Sequence, residues 1–367
     1  MSRRTALLRP SSDSPHDDQA GHRRTEKRDV TGLSPNLALP ATRACPRHCT
    51  SLLAASSLQH HGVPRRPFDL LLRRNDQLAP ARDSLAYRVP GVEGTGVSKT
   101  GAPSRTAMLT ACARGWHLFN HGPCAVLVDW LAWPLVGSAA EDLMAGARAA
   151  FGDATDQLAT WVAARSRLDE DWLAASGAEQ YVILGAGLDS FAWRERHGLR
   201  VFEVDHPATQ AWKRSRLDAL GIPVPSELVS VPIDLELKSI SVRLDEAGFG
   251  SGLSFISWLG VTPYLSLESI AATLRELPPS SLAVTYLAPE STWLGDIRAA
   301  TKAFAAIALE ASEPLVSFLT PREMADVLAN NGFAVVEDVG HEDVEGRYGL
   351  RALGMGNERI ALARKGA

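Results

Sequence analysis

The chain is short of the features that mark several protein classes. Its 367 residues hold only four cysteines, too few to staple a chain of this length, which excludes a disulfide scaffold. Cys112 and Cys124 lie in apolar surroundings and read as buried thiols of a reducing, cytoplasmic setting. Long apolar runs are absent. The best stretch, Cys124 to Gly137, carries Asp129 and Pro134 and falls short of the roughly 20 apolar residues that cross a bilayer, so no membrane contact is expected. The first residues lack the apolar segment of a secretory signal. A basic excess is missing too: the net charge of -4 argues against a nucleic-acid partner, because phosphate recognition needs a basic field. Strong metal-ligand spacing is not found. Cys45-Pro-Arg-His-Cys49 with His60-His61 matches no zinc pattern and has no strand or helix signal around it, so no metal is expected.

A change of composition divides what is present. Up to residue 96 the chain is rich in Arg, Ser, Pro and His, and Lys plus Arg outnumber Asp plus Glu 15 to 9. Such a segment buries too little apolar surface to offset its ordering entropy, and residues 1–96 are expected to be a mostly disordered extension. Residues 97–367 have a globular pattern. Within them, 97–176 read as helices: one capped by Ser104, a second over Glu141 to Ala150, a third from near Asp153 to Ala175, stopped by Gly177. From 177 onward short apolar strands alternate with helices. The strands are placed at Gln180–Leu184, Arg200–Val204, Leu228–Ile233, Ser254–Trp258, Leu282–Leu287, Val335–Val339 and Arg359–Ala363. The helices between them are placed at Ala208–Leu220, Leu237–Glu246, Leu267–Leu277, Thr292–Leu309 and Pro321–Asn330. This alternation predicts an α/β fold with a mostly parallel, doubly wound sheet. The last two strands, with no long helix between them, predict an antiparallel edge hairpin.

The segment Tyr181-Val-Ile-Leu-Gly-Ala-Gly-Leu-Asp-Ser190, followed by Val201-Phe-Glu-Val-Asp-His-Pro207, carries the chemistry. An apolar strand ends in a glycine turn, and the next strand ends in an acid. That order serves an adenosine-type cofactor at neighbouring strand tips. Gly185 and Gly187 let backbone approach the ligand. Asp205 sits where a carboxylate can accept from both ribose hydroxyls, while Glu203 points to the other side of its strand. Ser190 stands where the dinucleotide fingerprint has its third glycine, and Asp189 precedes it. A pyrophosphate at the helix start disfavours that carboxylate; S-adenosylmethionine, which has no phosphate, tolerates it. The pattern therefore favours S-adenosylmethionine over NAD, and seven strands ending in an antiparallel pair fit the class I, Rossmann-like methyltransferase sheet. Asp234 and Leu235, at the third strand's tip, are candidates for the adenine. Arg165 or Arg167 is a candidate for the cofactor's carboxylate. Tyr264, in the turn after the fourth strand, is the acceptor-side candidate.

Taken together, Ser104-Arg-Thr-Ala107, Ala164-Arg-Ser-Arg167, Ile183 to Ser190 with Arg194, Phe202 to Pro207 with Lys213, Pro232-Ile-Asp-Leu235 and the Gly260 to Leu265 turn resemble the leucine carboxyl methyltransferase family. The likeness is to its bacterial branch of S-adenosylmethionine-dependent methyltransferases, some of which are O-methyltransferases of polyketide pathways. The resemblance implies Arg165 on the methionine carboxylate, Gly185 near the amino-acid moiety, Asp205 on the ribose, and Asp234 with Leu235 at the adenine. It departs in one place: the family often has a glutamate just before the glycine of the fourth-strand turn, where this chain has Leu259. That puts the protein-carboxyl-methylating role in doubt.

The expected activity is methyl transfer to an oxygen, carboxylate or hydroxyl, of a small hydrophobic metabolite. A protein carboxyl methyltransferase and a catalytically inactive cofactor-binding protein are the alternatives. The acceptor pocket is expected between the first helices, around Trp116 to Trp133, and the segment from Pro289 to Pro314, with Trp130, Trp133, Trp293 and Phe304 as candidate walls. His121, His206 and His341 are possible bases by residue type alone. The oligomeric state is open.

Overall fold

The computed structural model describes residues 104–194, 198–233, 239–293, 295–351 and 357–366, all within one compact unit. The extension 1–96 and the pair Asp234-Leu235 lie outside the described residues.

Helices come first. In α1 (Arg105–His121) the N-cap is Ser104, whose Oγ accepts the Ala107 N–H at 3.0 Å, satisfying one of the orphan donors of the first turn. A short α2 (Ala132–Val136) follows. This helix is not among those expected from the sequence. Pro134 falls in the first turn, where its missing N–H breaks no helical bond. Next come α3 (Ala139–Phe151) and α4 (Ala154–Ser176), the latter ended by Gly177.

The sheet region runs β1 (Gln180–Leu184), α5 (Phe191–Arg194), β2 (Arg200–Asp205), α6 (Pro207–Leu220), β3 (Leu228–Pro232), α7 (Ile240–Glu246), β4 (Ser254–Trp258), α8 (Leu267–Glu276) and β5 (Ser280–Leu287). It closes with α9 (Gly295–Glu310), α10 (Pro321–Asn330), β6 (Phe333–Val339), α11 (His341–Tyr348) and β7 (Glu358–Lys365). The seven strands lie in the order β3-β2-β1-β4-β5-β7-β6. The first five are parallel, and β7 is antiparallel to both β5 and β6. This is the mixed sheet of the class I methyltransferases, with the antiparallel pair at one edge.

Two-residue alternation along β1 sets the layers. Val182 and Leu184 pack with Ile240, Leu244, Ile270, Leu274, Met324 and Leu328 of α7, α8 and α10. Tyr181 and Ile183 face the other way, onto Trp161, Leu168 and Leu173 of α4 and Val344 of α11. Both β1 and β4 are buried at all five positions, as central parallel strands covered on two faces must be.

The edge pair differs from a plain hairpin, because the eight-residue α11 joins β6 to β7. Its sequence, His-Glu-Asp-Val-Glu-Gly-Arg-Tyr, buries only Val344. It therefore carries no apolar period by which a helix is recognised.

Strand order reverses between β1 and β4. Loops leaving the carboxyl ends of these neighbours diverge, one toward β2 and one toward β5, which opens a crevice there. Gly185 and Gly187 after β1, Asp205 at the end of β2 and Gly260 after β4 lie at these strand ends.

Candidate active site

The turn after β1 is fixed from several sides. Gly185 and Gly187 have φ of 67° and 50°, a region costly for residues with a side chain. A Cβ on Gly185 would also collide with Val261 Cγ2 of the β4 turn. Backbone geometry and packing thus account for the glycines without a ligand, and the site has to be argued from polar groups.

Asp205 supplies one. At the tip of β2, its Oδ2 accepts the Gly187 N–H and its Oδ1 accepts the His206 N–H, the latter at 2.5 Å. The carboxylate ties two neighbouring strand tips together and keeps further lone pairs for a ligand. Burial raises its pKa, against the lowering effect of those two N–H groups. The α6 cap is His206, whose Nδ1 accepts the Ala208 N–H at 3.2 Å. Glu203 turns away from the crevice, as expected, and pairs with Lys213 at 2.7 Å.

Ser190 and Asp189 acquire structural reasons. Asp189 Oδ1 accepts the Phe191 N–H at 2.8 Å, starting α5. Ser190 donates to Asp129 Oδ1 at 2.5 Å, and Asp129 is 1% exposed. Arg114 Nε donates to Asp129 Oδ2 at 2.7 Å while its Nη2 donates to the Leu188 carbonyl at 2.8 Å. Arg194 completes the cluster, 3.8 Å from Asp129 and 2.5 Å from Glu170. Burial pushes the Asp129 carboxyl up, but Arg114 and Arg194 outweigh it and hold the pKa below the usual carboxylate range. This ion cluster clamps the glycine turn to α1 and α4. Sequence reasoning missed it, because Asp129 lies in an irregular stretch with no motif.

Of the two candidate arginines, the structure separates the roles. Arg167 pairs with Asp171 one turn on, at 2.8 Å, on the partly exposed face of α4. Arg165 points inward and is 7% exposed. Its Nη1 pairs with Glu358 at the start of β7, whose other oxygen accepts the Trp161 indole N–H at 2.5 Å. The Arg165 Nε is buried and finds no partner among the described residues. Its Nη2 lies under Gly260, where a Cβ would come to 3.0 Å. The β4 turn is pinned to β5, with the Gly260 N–H donating to Thr285 Oγ1 at 2.7 Å and Thr262 Oγ1 donating to the Thr285 carbonyl at 2.5 Å.

A cavity of about 100 Å³ opens beside these groups. Arg165, Gly260, Tyr264, Asn357 and Glu358 supply its polar side, and Leu109, Ala113, Met144, Phe151, Leu158, Val162 and Phe304 supply apolar walls. Gly185, Gly187 and Asp205 do not line it; Val261, next to Gly260 in the β4 turn, lies against Gly185. Tyr264 lies on the cavity. Burial drives its phenol well above the usual pKa, so the hydroxyl stays protonated at neutral pH. Among the expected aromatics only Phe304 lines the cavity. Trp130 and Trp133 pack with α1 to α3, and Trp293 is buried with its N–H on the Ala288 carbonyl at 2.9 Å. None of His121, His206 and His341 borders the cavity.

The model of a family described as "Leucine carboxyl methyltransferase" matches residues 107–277. A "Putative S-adenosyl-L-methionine-dependent methyltransferase YktD" of Bacillus subtilis is 36% identical over 46% of this chain and 58% of its own length. A relative of the same description from Frankia alni, FRAAL3836, is 35% identical over 49% of this chain and 67% of its own. The chain belongs to the leucine carboxyl methyltransferase family. The match spans about three-fifths of the Bacillus member's length. A crystal structure of a "putative methyltransferase" from Thermobifida fusca aligns at a TM-score of 0.49 and 18% identity, over 73% of this chain and 97% of that one. Leu259 packs half-buried against the apolar cluster of α4 and β1.

Proposed function

We propose that this chain is an S-adenosylmethionine-dependent methyltransferase acting on an oxygen, carboxylate or hydroxyl, of a small hydrophobic metabolite. The observation that carries the reading is Arg165. A buried guanidinium with an unpartnered Nε, facing a residue without a side chain, fits a ligand carboxylate, since a desolvated charged donor is costly to leave unmet. Family membership and the strand order agree with it. In this reading Arg165 holds the methionine carboxylate, Gly185 and Gly187 allow backbone approach, Asp205 accepts from the ribose, and Asp234 with Leu235 border the adenine. When bound, the cofactor supplies a methyl group already activated on a positively charged sulfur.

The residues of the chain contribute alignment more than proton transfer. Tyr264 is protonated and can donate a hydrogen bond to the acceptor, and Glu358 is committed to Arg165 and Trp161. With no free base among the described residues that line the cavity, the reading favours an acceptor oxygen that arrives ionised or gives up its proton readily. Alignment in such a site supplies up to about 7–11 kcal/mol. The narrow, apolar cavity and Leu259 favour a small molecule over a protein terminus.

Calorimetry with S-adenosylhomocysteine and with NADH tests the reading. It expects binding of the former only, and a loss of about 1.5–3 kcal/mol on Arg165→Met, the worth of a charged hydrogen bond. Binding of NADH alone, or an unchanged affinity in Arg165→Met, would overturn it.

A further inference from the structure

Besides the Arg165 Nε, the cavity carries a second buried polar atom that finds no partner among the described residues. Asn357 precedes β7, is 3% exposed, and lines the cavity. Its backbone carbonyl accepts the Ala288 N–H, and its Nδ2 donates to Thr301 Oγ1 of α9 at 2.7 Å. Its Oδ1 is buried and finds no partner among the described residues. Folding places a carbonyl oxygen in an apolar wall only at a cost, and a ligand that donates to it would offset that cost.

The cavity's other polar groups already have uses: Thr110 and Thr155 donate their hydroxyls to backbone carbonyls, and Thr301 accepts from Asn357 itself. Glu358 is satisfied by Arg165 and Trp161, and Arg165 offers donors only. The Asn357 oxygen is thus a buried acceptor on the cavity with no partner among the described residues.

We propose that Asn357 is a specificity-determining residue, whose carbonyl oxygen selects acceptor molecules that present a hydroxyl or N–H to an otherwise apolar cavity. The inference rests on reading the cavity as the acceptor site of a methyltransferase. The group that Asn357 reads need not be the atom methylated, and Asn357 moves no proton. A site built to bond a hydroxyl rejects the analogue that lacks it far more strongly than a greasy pocket rejects a change of one methyl.

The test is direct binding to the full chain of three probes of suitable size: phenol; toluene, its near-isostere; and methoxybenzene, whose oxygen accepts but cannot donate. Calorimetry or ligand-observed NMR gives the affinities. Phenol is expected to bind more tightly than either of the others, and Asn357→Leu is expected to lower the phenol-to-toluene affinity ratio at least tenfold. Toluene or methoxybenzene binding as well as phenol in the unmodified protein would overturn the proposal. So would an unchanged ratio in a folded Asn357→Leu protein, or no binding of phenol. Should that variant fail to fold, the three affinities of the unmodified chain decide. S-adenosylhomocysteine is titrated in parallel. A phenol preference without binding of that nucleoside would sink the methyltransferase reading and leave donor recognition standing. The reverse outcome would do the opposite.

Discussion

Replacing Asp129 by alanine tests the clamp that holds the glycine turn. The carboxylate is fully enclosed. It accepts from Arg114 Nε at 2.7 Å, from Ser190 Oγ at 2.5 Å and from the Ala132 N–H at 3.0 Å, with Arg194 3.8 Å away. Its removal leaves Arg114, 6% exposed, as a buried charge short of its partner. Breaking a buried pair on one side costs about 3–5 kcal/mol, and urea unfolding followed by tryptophan fluorescence will show it as a lowered midpoint. The pH dependence has a fixed sign. Burial raises the Asp129 pKa, but the two arginines and the Ser190 hydroxyl hold it below its ordinary value. The contribution is therefore complete above the unfolded-state pKa of about 3.9. It disappears as pH falls through the lower folded-state value. The difference between the two proteins should be flat from pH 6 to 8 and shrink below about pH 4. A loss under about 1 kcal/mol at pH 7, or a gap that widens in acid, would refute the assignment of Asp129 as an ionised keystone.

Other perturbations probe separate parts of the account. Gly185→Ala places a Cβ against Val261 at a positive φ, so unfolding experiments should show a loss of about 1–3 kcal/mol; Val261→Ala in the same chain should recover part of it, and no recovery would show that the collision is not the cause. Asp169 is buried with its Oδ2 accepting the Tyr181 hydroxyl at 2.7 Å, and burial raises its pKa well above normal. The folded state keeps a proton that the unfolded state releases above about pH 3.9, so the native carboxyl loses ground as pH rises and Asp169→Asn should gain stability relative to wild type between pH 4 and 7; a constant difference over that range would contradict this. Asp205→Ala should weaken S-adenosylhomocysteine by about 2 kcal/mol in a calorimetric titration, and an unchanged affinity would remove Asp205 from the site.

Much of the fold was legible because its signals are local. The runs Gln180–Leu184 and Ser254–Trp258 are short, apolar and bounded by turn residues, and they form strands with those bounds. Thr320 and Glu323 form a reciprocal capping box that opens α10, a pattern readable three residues apart. What escaped depends on contacts distant in sequence. Glu358 meets Arg165 across 193 positions, and Asn357 reaches the cavity only because β7 inserts between β5 and β6. Asp129 gains its role from partners on α1, α5 and the glycine turn. The tryptophans expected to line the acceptor pocket show a further limit of composition: Trp130, Trp133 and Trp293 are apolar enough for a cavity wall and equally suited to helix packing, and topology decides for packing. Arg165 and Arg167, two residues apart, point in different directions from α4 because successive positions on a helix are separated by about 100°.

A crystal structure with S-adenosylhomocysteine bears on the central claim most directly. The account predicts the ligand's carboxylate on Arg165 Nε and Nη2, its ribose hydroxyls on Asp205, and its sulfur at the mouth of the cavity between Gly260 and Tyr264. Ligand density elsewhere, with Arg165 still unmet and Val261 and Ala107 closed over the glycine turn, would contradict it.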